Sequence, residues 1–204
     1  MAKMNKRAAE ILRAASDLFA DKGYEGASIR NLAAAVGVSI PTIYLYFGSK
    51  RNLYDEVCAH IFSEHRAAHA ANLDLEGDDR TRLYRYILSI ATDLMSDDRY
   101  LKFAHREMLE QNASGLKKFS RRAFHDAVSR AGEICDRLSP ERKDGYVRIY
   151  VAVTLIFGLV STLRAGKYLH PGLNKMYNAK NMTKHVLEQM FPEVNWSGVD
   201  RKKH

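Results

Sequence analysis

Two histidines in the N-terminal half have the residue type and the spacing that a metal site uses. His65 and His69 are four residues apart, so on a helix they share one face, and His60 precedes them. No cysteine or acidic residue joins them at a ligand spacing except Glu64, which points elsewhere on such a helix. A solvated or interdomain face is therefore favoured over a metal site, and we predict no metal.

The common catalytic motifs are absent from the sequence. It contains no GxGxxG, GxxxxGK[ST], HExxH or GxSxG pattern, so neither a nucleotide loop, a zinc protease helix nor a nucleophile elbow is indicated. The adjacent Asp97 and Asp98 are interpreted as a loop and a helix cap. We expect no catalytic residue, no cofactor and no enzymatic activity.

The elements that position these side chains are predicted to be helices throughout. Apolar residues recur at three- and four-residue steps, with no strand alternation, and only 4 prolines and 12 glycines interrupt them. The pattern predicts an all-α protein with helices over residues 6–22, 28–36, 39–47, 49–69, 80–96, 99–112, 116–138, 141–167 and 181–191. Gly23 is expected to end the first of these helices, and serines 28, 39 and 49 to cap the next three.

The charge of the chain favours an anionic partner without saying where that partner binds. The formal net charge is +8, which suggests nucleic acid first and an anionic membrane surface second. Residues 1–60 contain 8 Lys or Arg and 6 Asp or Glu, however, so the basic excess is not concentrated there. The position of individual residues must therefore carry any argument for DNA binding.

The remaining composition is typical of a soluble cytoplasmic protein. Cys58 and Cys135 are far apart and form no CxxC motif, which fits a reducing compartment. No apolar segment suitable for a signal peptide follows Lys3, Lys6 and Arg7. Residues 147–163 form the longest apolar stretch, but Arg148 interrupts it and it is short for a membrane span. We expect no membrane partner.

A helix-turn-helix is predicted where two short helices meet at Val36-Gly37-Val38. The surrounding motifs are Ser28-Ile-Arg-Asn-Leu-Ala, Gly37-Val-Ser, Thr42-Ile-Tyr-Leu-Tyr-Phe and Ser49-Lys-Arg-Asn-Leu, preceded by Leu18-Phe19 and Gly23-Tyr24. This segment, about residues 6–54, resembles the TetR/AcrR family of bacterial transcription regulators. The rest of the chain resembles the family only in its length and helix order.

The resemblance implies an N-terminal three-helix DNA-binding head, residues 1–52, and a helical ligand-binding and dimerisation body, residues 53–204. It further implies that residues 40–47 are the recognition helix and that Tyr44, Tyr46 and Lys50 contact phosphates of double-stranded operator DNA, with Ser28 also facing the backbone. Hydroxyls, a lysine and helix N-termini suit phosphate oxygens.

Base recognition is harder to assign, because the exposed positions of the recognition helix include no Arg, Lys, Asn or Gln. Thr42 can form a hydrogen bond there, and Pro41 departs from the small or polar residue that the family often has. Arg30 is therefore our candidate for a guanine contact, with Asn31 as a weaker one.

The resemblance also places a ligand cavity among the middle helices. Tyr100, Phe103 and Arg106 on one helix, and Tyr150 and Phe157 on the long apolar helix, are the candidate contacts for an unknown small molecule. Aromatic residues at helical spacing are also typical of a plain core, and that alternative stays open.

The long helix is apolar nearly all round and needs a covering partner. With the final helix it can form the four-helix homodimer interface that the resemblance implies, although an intramolecular core is the alternative. The predicted function is a DNA-binding regulator, foremost a repressor released from a palindromic operator by a small molecule. An activator, or a regulator controlled by a protein partner, is the second hypothesis; an enzyme or unrelated helical protein is the third.

Overall fold

The computed structural model describes residues 6–109, 125–169 and 178–200, and the prediction of an all-α fold is confirmed. The described residues form nine helices and no strand. These are α1 (Lys6–Gly26), α2 (Ile29–Val36), α3 (Ile40–Phe47), α4 (Lys50–Ala71), α5 (Asp79–Ser96), α6 (Asp98–Met108), α7 (His125–Leu138), α8 (Gly145–Leu169) and α9 (Ala179–Met190). The parts of two predicted helices at 110–112 and 116–124 lie outside the described residues.

Serines cap the N-termini of α2, α3 and α4, as predicted. Ser28, Ser39 and Ser49 each accept a hydrogen bond from the backbone amide three residues further on. Such a cap satisfies an amide that has no partner within the helix and contributes about 1 kcal/mol. Gly37 ends α2 in the left-handed conformation at φ 68°, which brings α3 across α2 after a tight turn.

α1 is interrupted at Gly23, the residue predicted to end it. Gly23 has φ 72° and ψ 178°, a combination that only glycine adopts readily, and a last short turn follows as far as Gly26. The carbonyls of Phe19 and Ala20 lie in the turn before this break, and a side chain from α6 reaches both of them. The end of α1 is therefore held by another helix.

α4 joins the head to the body through one continuous core. Leu53 and Val57 near its beginning are fully buried, as are Ile11 and Phe19 of α1, and all belong to the same apolar cluster as the body residues. The proposed domain boundary after residue 52 falls near the start of α4. A shift of α4 therefore affects packing on both sides of that boundary.

α5 lies at the centre of the body. It packs against α4, α6, α7, α8 and α9, and its Leu83, Tyr86 and Ile87 are among the most deeply buried large side chains of the protein. Asp78 caps it by accepting from the Thr81 amide at 2.8 Å. The body is thus organised as helices around α5.

α7 and α8 approach closely because two glycines face each other. A Cβ built on Gly145 would lie 2.2 Å from the Gly132 carbonyl oxygen, so no side chain fits there. The Asp136 carboxylate accepts from the Gly145 amide at 2.9 Å and caps α8. α8 consequently begins at Gly145, and the prediction that it starts at residue 141 was wrong by one turn.

α8 leaves an apolar face uncovered. Ile149, Ala152, Ile156 and Val160 point into the core, whereas Val147 and Leu155 on another face are exposed. By length and composition alone the segment Gly145–Leu163 could cross a membrane, and it is the one such helix among the described residues. Only 28% of its apolar window is buried in the single chain.

Candidate nucleic-acid interface and ligand cavity

α3 presents nearly all of its side chains to the outside. Ile43 is its one buried residue, at 1% exposure, and it holds the helix against the head. The large side chains Ile40, Tyr44, Leu45 and Tyr46 are exposed, with Leu45 at 83%. A helix of 8 residues held by one buried side chain, and showing so much apolar surface, is suited to contact another molecule.

The predicted contact residues of α3 lie on this outer surface. Tyr44 and Tyr46 are both exposed, at 41% and 38%. Thr42 is half-buried, and its hydroxyl lies 2.8 Å from the hydroxyl of the cap Ser39. The Thr42 side chain is therefore already engaged at the helix N-terminus, whereas both tyrosine rings extend outward. Their roles at phosphate groups stay predictions.

Lys50 contacts the end of α1, the segment that leads into Ser28 and α2. The Lys50 Nζ donates to the Glu25 carbonyl at 3.3 Å and lies 4.8 Å from the centre of the Tyr24 ring. Ser28 follows three residues after Glu25 and caps α2. The Lys50 ammonium thus lies beside the segment that leads into α2, whose N-terminus offers donors to an anionic group.

Arg30 is exposed in the first turn of α2, and Asn31 is exposed beside it. The N-terminus of α1 is also attached to this unit, because Arg7 donates to the Gly37 carbonyl in the turn between α2 and α3 at 3.1 Å. The turn of the helix-turn-helix is therefore held by the N-terminal part of α1.

An apolar cavity of about 130 Å³ lies among α5, α6, α7 and α8. Three of the five predicted ligand residues, Tyr100, Tyr150 and Phe157, line it. The other lining residues are Ile90, Leu94, Ala104, Met108, Val128, Tyr146, Val153 and Thr154. Burial raises the pKa of Tyr100, so its hydroxyl stays protonated and available as a hydrogen-bond donor.

Phe103 and Arg106 are not among the residues that line this cavity. Phe103 is fully buried, with its ring 5.8 Å from that of Tyr54 on α4. The Arg106 guanidinium extends to α1, where it donates to the carbonyl of Phe19 and, at 2.9 Å, to that of Ala20. Tyr146, which lies one turn before Tyr150 on the same face of α8, also lines the cavity.

A second, larger cleft of about 460 Å³ lies between α1, α4 and the start of α6. Its lining is largely charged and polar, and includes Glu10, Arg13, His65 and Asp97. Sites for drug-sized molecules are mostly apolar, and the smaller cavity has the more apolar lining of the two.

α6 connects the apolar cavity to the head. Tyr100, Ala104 and Met108 line the cavity at four-residue intervals, and on another face Arg99, Lys102 and Arg106 bond to α1. Glu107 accepts from the Tyr54 hydroxyl of α4 at 2.9 Å, and burial raises the pKa of Tyr54 so that this hydroxyl remains the donor. A displacement of α6 must therefore disturb both α1 and α4.

The residues that could hold a metal ion are His65, His69 and Asp93. The Asp93 Oδ2 lies 2.8 Å from His65 Nδ1 and 2.8 Å from His69 Nε2. Burial disfavours the charged carboxylate, but the hydrogen bonds to the two rings outweigh this and hold the pKa of Asp93 below its usual value. Asp93 lies 24 residues beyond His69, so no spacing in the sequence indicates that it joins the histidines.

Known proteins resemble this chain both in the sequence of the head and in the overall fold. The family model of tetR-family bacterial regulatory proteins matches residues 11–57. An HTH-type transcriptional regulator of Mycobacterium bovis is 27% identical over 146 residues, which cover 72% of this chain and 75% of the relative. The transcriptional repressor AcnR of Corynebacterium glutamicum is 34% identical over 95 residues, covering 43% of this chain and 50% of the repressor.

A solved structure extends the similarity beyond the head. A TetR-like transcriptional regulator from Rhodococcus sp. RHA1 superposes with a TM-score of 0.72 at 18% identity, covering 94% of this chain and 98% of that one. At this identity the match concerns the fold alone, and it includes the helices that surround the apolar cavity.

Proposed function

We propose that this chain, a DNA-binding transcriptional regulator of the TetR family, is a repressor which a small-molecule ligand releases from a palindromic operator. The observation that carries the proposal is the position of α6, whose faces line the apolar cavity and bond to α1. A ligand in the cavity and DNA on the head then act on the same helix.

The outward surface of the head supports DNA binding through α3. Tyr44 and Tyr46 extend from α3, and Lys50 and Ser28 lie at the neighbouring edge. In the proposal these four residues contact phosphates, which fix the register of the protein on the duplex without selecting a sequence. Arg30 contacts a guanine, and Thr42 makes a smaller contribution to base selection.

A homodimer is part of the proposal, because a palindromic operator requires two heads at a fixed spacing. The uncovered face of α8, with exposed Val147 and Leu155, supports pairing with a second copy of the chain. A Cβ on Gly158 would meet nothing within 4 Å, so this face has room for close approach of a partner helix. The two heads would then meet half-sites about 34–36 Å apart, or a multiple of that distance.

In the proposal, ligand binding opposes DNA binding because a ligand must enlarge the small cavity and so displace the helices around it. At about 130 Å³ it is well below the roughly 300–1,000 Å³ of sites for drug-sized ligands. A ligand of that size must displace lining side chains, including Tyr100, Ala104 and Met108 of α6. Displacement of α6 shifts Arg106 and Glu107, moves α1 and α4, and changes the separation of the two heads.

Footprinting and a reporter test this function together. On the promoter of its own gene the protein should protect a segment with dyad symmetry, and deletion of the protein should raise expression of the reporter. An asymmetric footprint with one protected half-site at saturating protein contradicts the dimeric arrangement. Lower expression after deletion would favour the activator.

A further inference from the structure

We propose that His65 and His69 of α4, together with Asp93 of α5, bind a divalent transition-metal ion such as Zn²⁺. The two imidazoles lie one turn apart on α4 and converge on a single carboxylate from the adjacent helix. The three candidate ligand atoms lie within 4.8 Å of one another. This site is separate from the apolar cavity and does not depend on the proposed repressor function.

The donor set matches the preferences of zinc and its neighbours. Two imidazole nitrogens and one carboxylate oxygen are three of the four ligands of a tetrahedral site, with a water molecule as the fourth. Two ligands of such an ion are about 3.4 Å apart, from metal–ligand distances of about 2.0–2.1 Å. The two His–Asp93 separations of 2.8 Å therefore widen by about 0.6 Å through rotation of the Asp93 side chain, and the two ring nitrogens, which lie within 4.8 Å of each other, close to about 3.4 Å around the ion.

A second carboxylate is placed to orient His65. The Asp97 Oδ2 lies 3.4 Å from the His65 Nε2, the ring nitrogen opposite the one that faces Asp93. Histidines that bind metals usually donate their other ring N–H to a carboxylate or a carbonyl, which fixes the tautomer. Asp97 is itself held in place, because it accepts from the amides of Arg99 and Tyr100 as the cap of α6.

The rings are also fixed by packing. The Tyr100 ring stacks on that of His65 with 4.0 Å between the ring centres. His69 is buried, at 5% exposure. Because neither imidazole must be ordered when an ion binds, little conformational entropy is lost.

An ion can reach the cluster from solvent. His65 and Asp97 line the open cleft of about 460 Å³ between α1 and α4, and the Asp93 side chain keeps 28% of its surface exposed. The Arg99 Nε lies 3.8 Å from the Asp97 Oδ1, the carboxylate oxygen that does not face His65. The cleft carries Lys6, Arg13 and Arg99 beside Glu10, Glu64 and Asp97, so a cation is attracted by the Asp93 carboxylate itself and not by a net negative charge of the cleft.

The site would join α4 to α5 beside the ligand cavity. Tyr100 stacks on His65 and also lines that cavity, so a bound ion and a bound ligand would share one aromatic ring. α4 begins at Lys50 in the head. An ion that holds α4 against α5 thus restrains the helix that carries the head.

Cobalt and zinc titrations of the full chain, without a histidine tag and stripped of metal, test the proposal. Co²⁺ should give the visible absorption bands of a four-coordinate ion, and these bands should saturate at one ion per chain. Zn²⁺ should then displace the Co²⁺. Loss of a ligand in Asp93→Asn or His69→Ala should weaken Zn²⁺ binding by more than about 100-fold. Asp97→Asn keeps the helix cap and should weaken it by about 10-fold.

His60→Ala is the matched control, because His60 lies on the same helix and pairs only with the exposed Glu64. Its Zn²⁺ affinity should equal that of the unmodified protein. If the cobalt spectrum of the unmodified protein is identical to that of the hydrated ion, the proposal is overturned. This outcome does not depend on whether any variant folds. Equal affinity of Asp93→Asn and the unmodified protein, or an equal loss in His60→Ala, also overturns it.

Discussion

Two surfaces of this regulator leave large apolar side chains exposed, and they differ in what surrounds those side chains. On α3, exposed Leu45 lies between Tyr44 and Tyr46, with Lys50 close by at the start of α4. On α8, the face formed by Val147, Leu155, Gly158 and Thr162 carries no charged side chain. Donors and a cation beside apolar groups suit a polyanion, whereas an uncharged apolar face suits another protein surface.

The largest expected effect follows from a charge on the α8 face. Leu155→Glu should abolish the dimer, because an unpaired carboxylate would be buried between two copies of α8. Operator affinity should then fall by at least about 100-fold, since the two heads no longer bind as one unit. Sedimentation velocity and fluorescence anisotropy measure the two effects.

The control for this variant is Leu75→Glu. Leu75 is 45% exposed and Leu155 is 41% exposed, but Leu75 lies in the loop between α4 and α5. Gly158→Leu gives a second test, because a Cβ at this position meets nothing within 4 Å in the single chain and leucine has the higher helix propensity, so loss of the dimer would come from the interface. A Leu155→Glu protein that remains a dimer would show that α8 is not the interface.

Arg30→Ala sharpens the comparison at the head. If Arg30 contacts a guanine, its removal should cost about 1–3 kcal/mol at one operator position and leave the other positions unchanged. Selection of preferred sequences from a random pool, for both proteins, measures this. An unchanged preference at every position would remove Arg30 from the base-contacting residues.

A further prediction asks whether the head communicates with the body through α6. Arg106→Lys keeps the charge but loses the paired donation to the carbonyls of Phe19 and Ala20. The coupling free energy between ligand binding and operator binding should then be smaller than in the unmodified protein by about 0.5–2 kcal/mol. Lys102→Ala removes only exposed ion pairs to Asp21 and Asp98 and should change little. Equal effects of the two substitutions would argue against a special role for Arg106.

The smallest expected effect belongs to Lys50. Lys50→Ala should weaken binding to all sequences about equally and reduce the salt slope by about one unit, as loss of one phosphate contact does. Lys180→Ala, which removes an exposed lysine on α9, serves as the control. An unchanged slope for Lys50→Ala would contradict the phosphate contact.

The elements of the head could be predicted because their determinants are local. Ser28, Ser39 and Ser49 cap helices within three residues of themselves, and Gly37 supplies the turn conformation by its own backbone. The spacing of apolar residues also indicated every described helix, with errors of up to one turn at the ends.

The two sites of the body depended on packing that no local pattern encodes. Tyr100, Ala104 and Met108 form the face of α6 that lines the cavity, whereas Phe103 and Arg106 point to α4 and α1. Residue type alone could not decide between these faces. Asp93 joins the histidine pair from a different helix, so its role follows only from how α4 packs against α5.

Reciprocal binding of ligand and operator tests the central claim, that α6 connects the cavity to the head, most directly. A ligand is first identified by the rise in melting temperature that binding to the folded protein produces. Calorimetry then measures its affinity for the free protein and for the operator complex. We predict that operator DNA weakens ligand binding by about 5–150-fold, corresponding to a coupling of about 1–3 kcal/mol, and that the ligand weakens operator binding by the same factor. Equal ligand affinity in the two titrations would contradict the account.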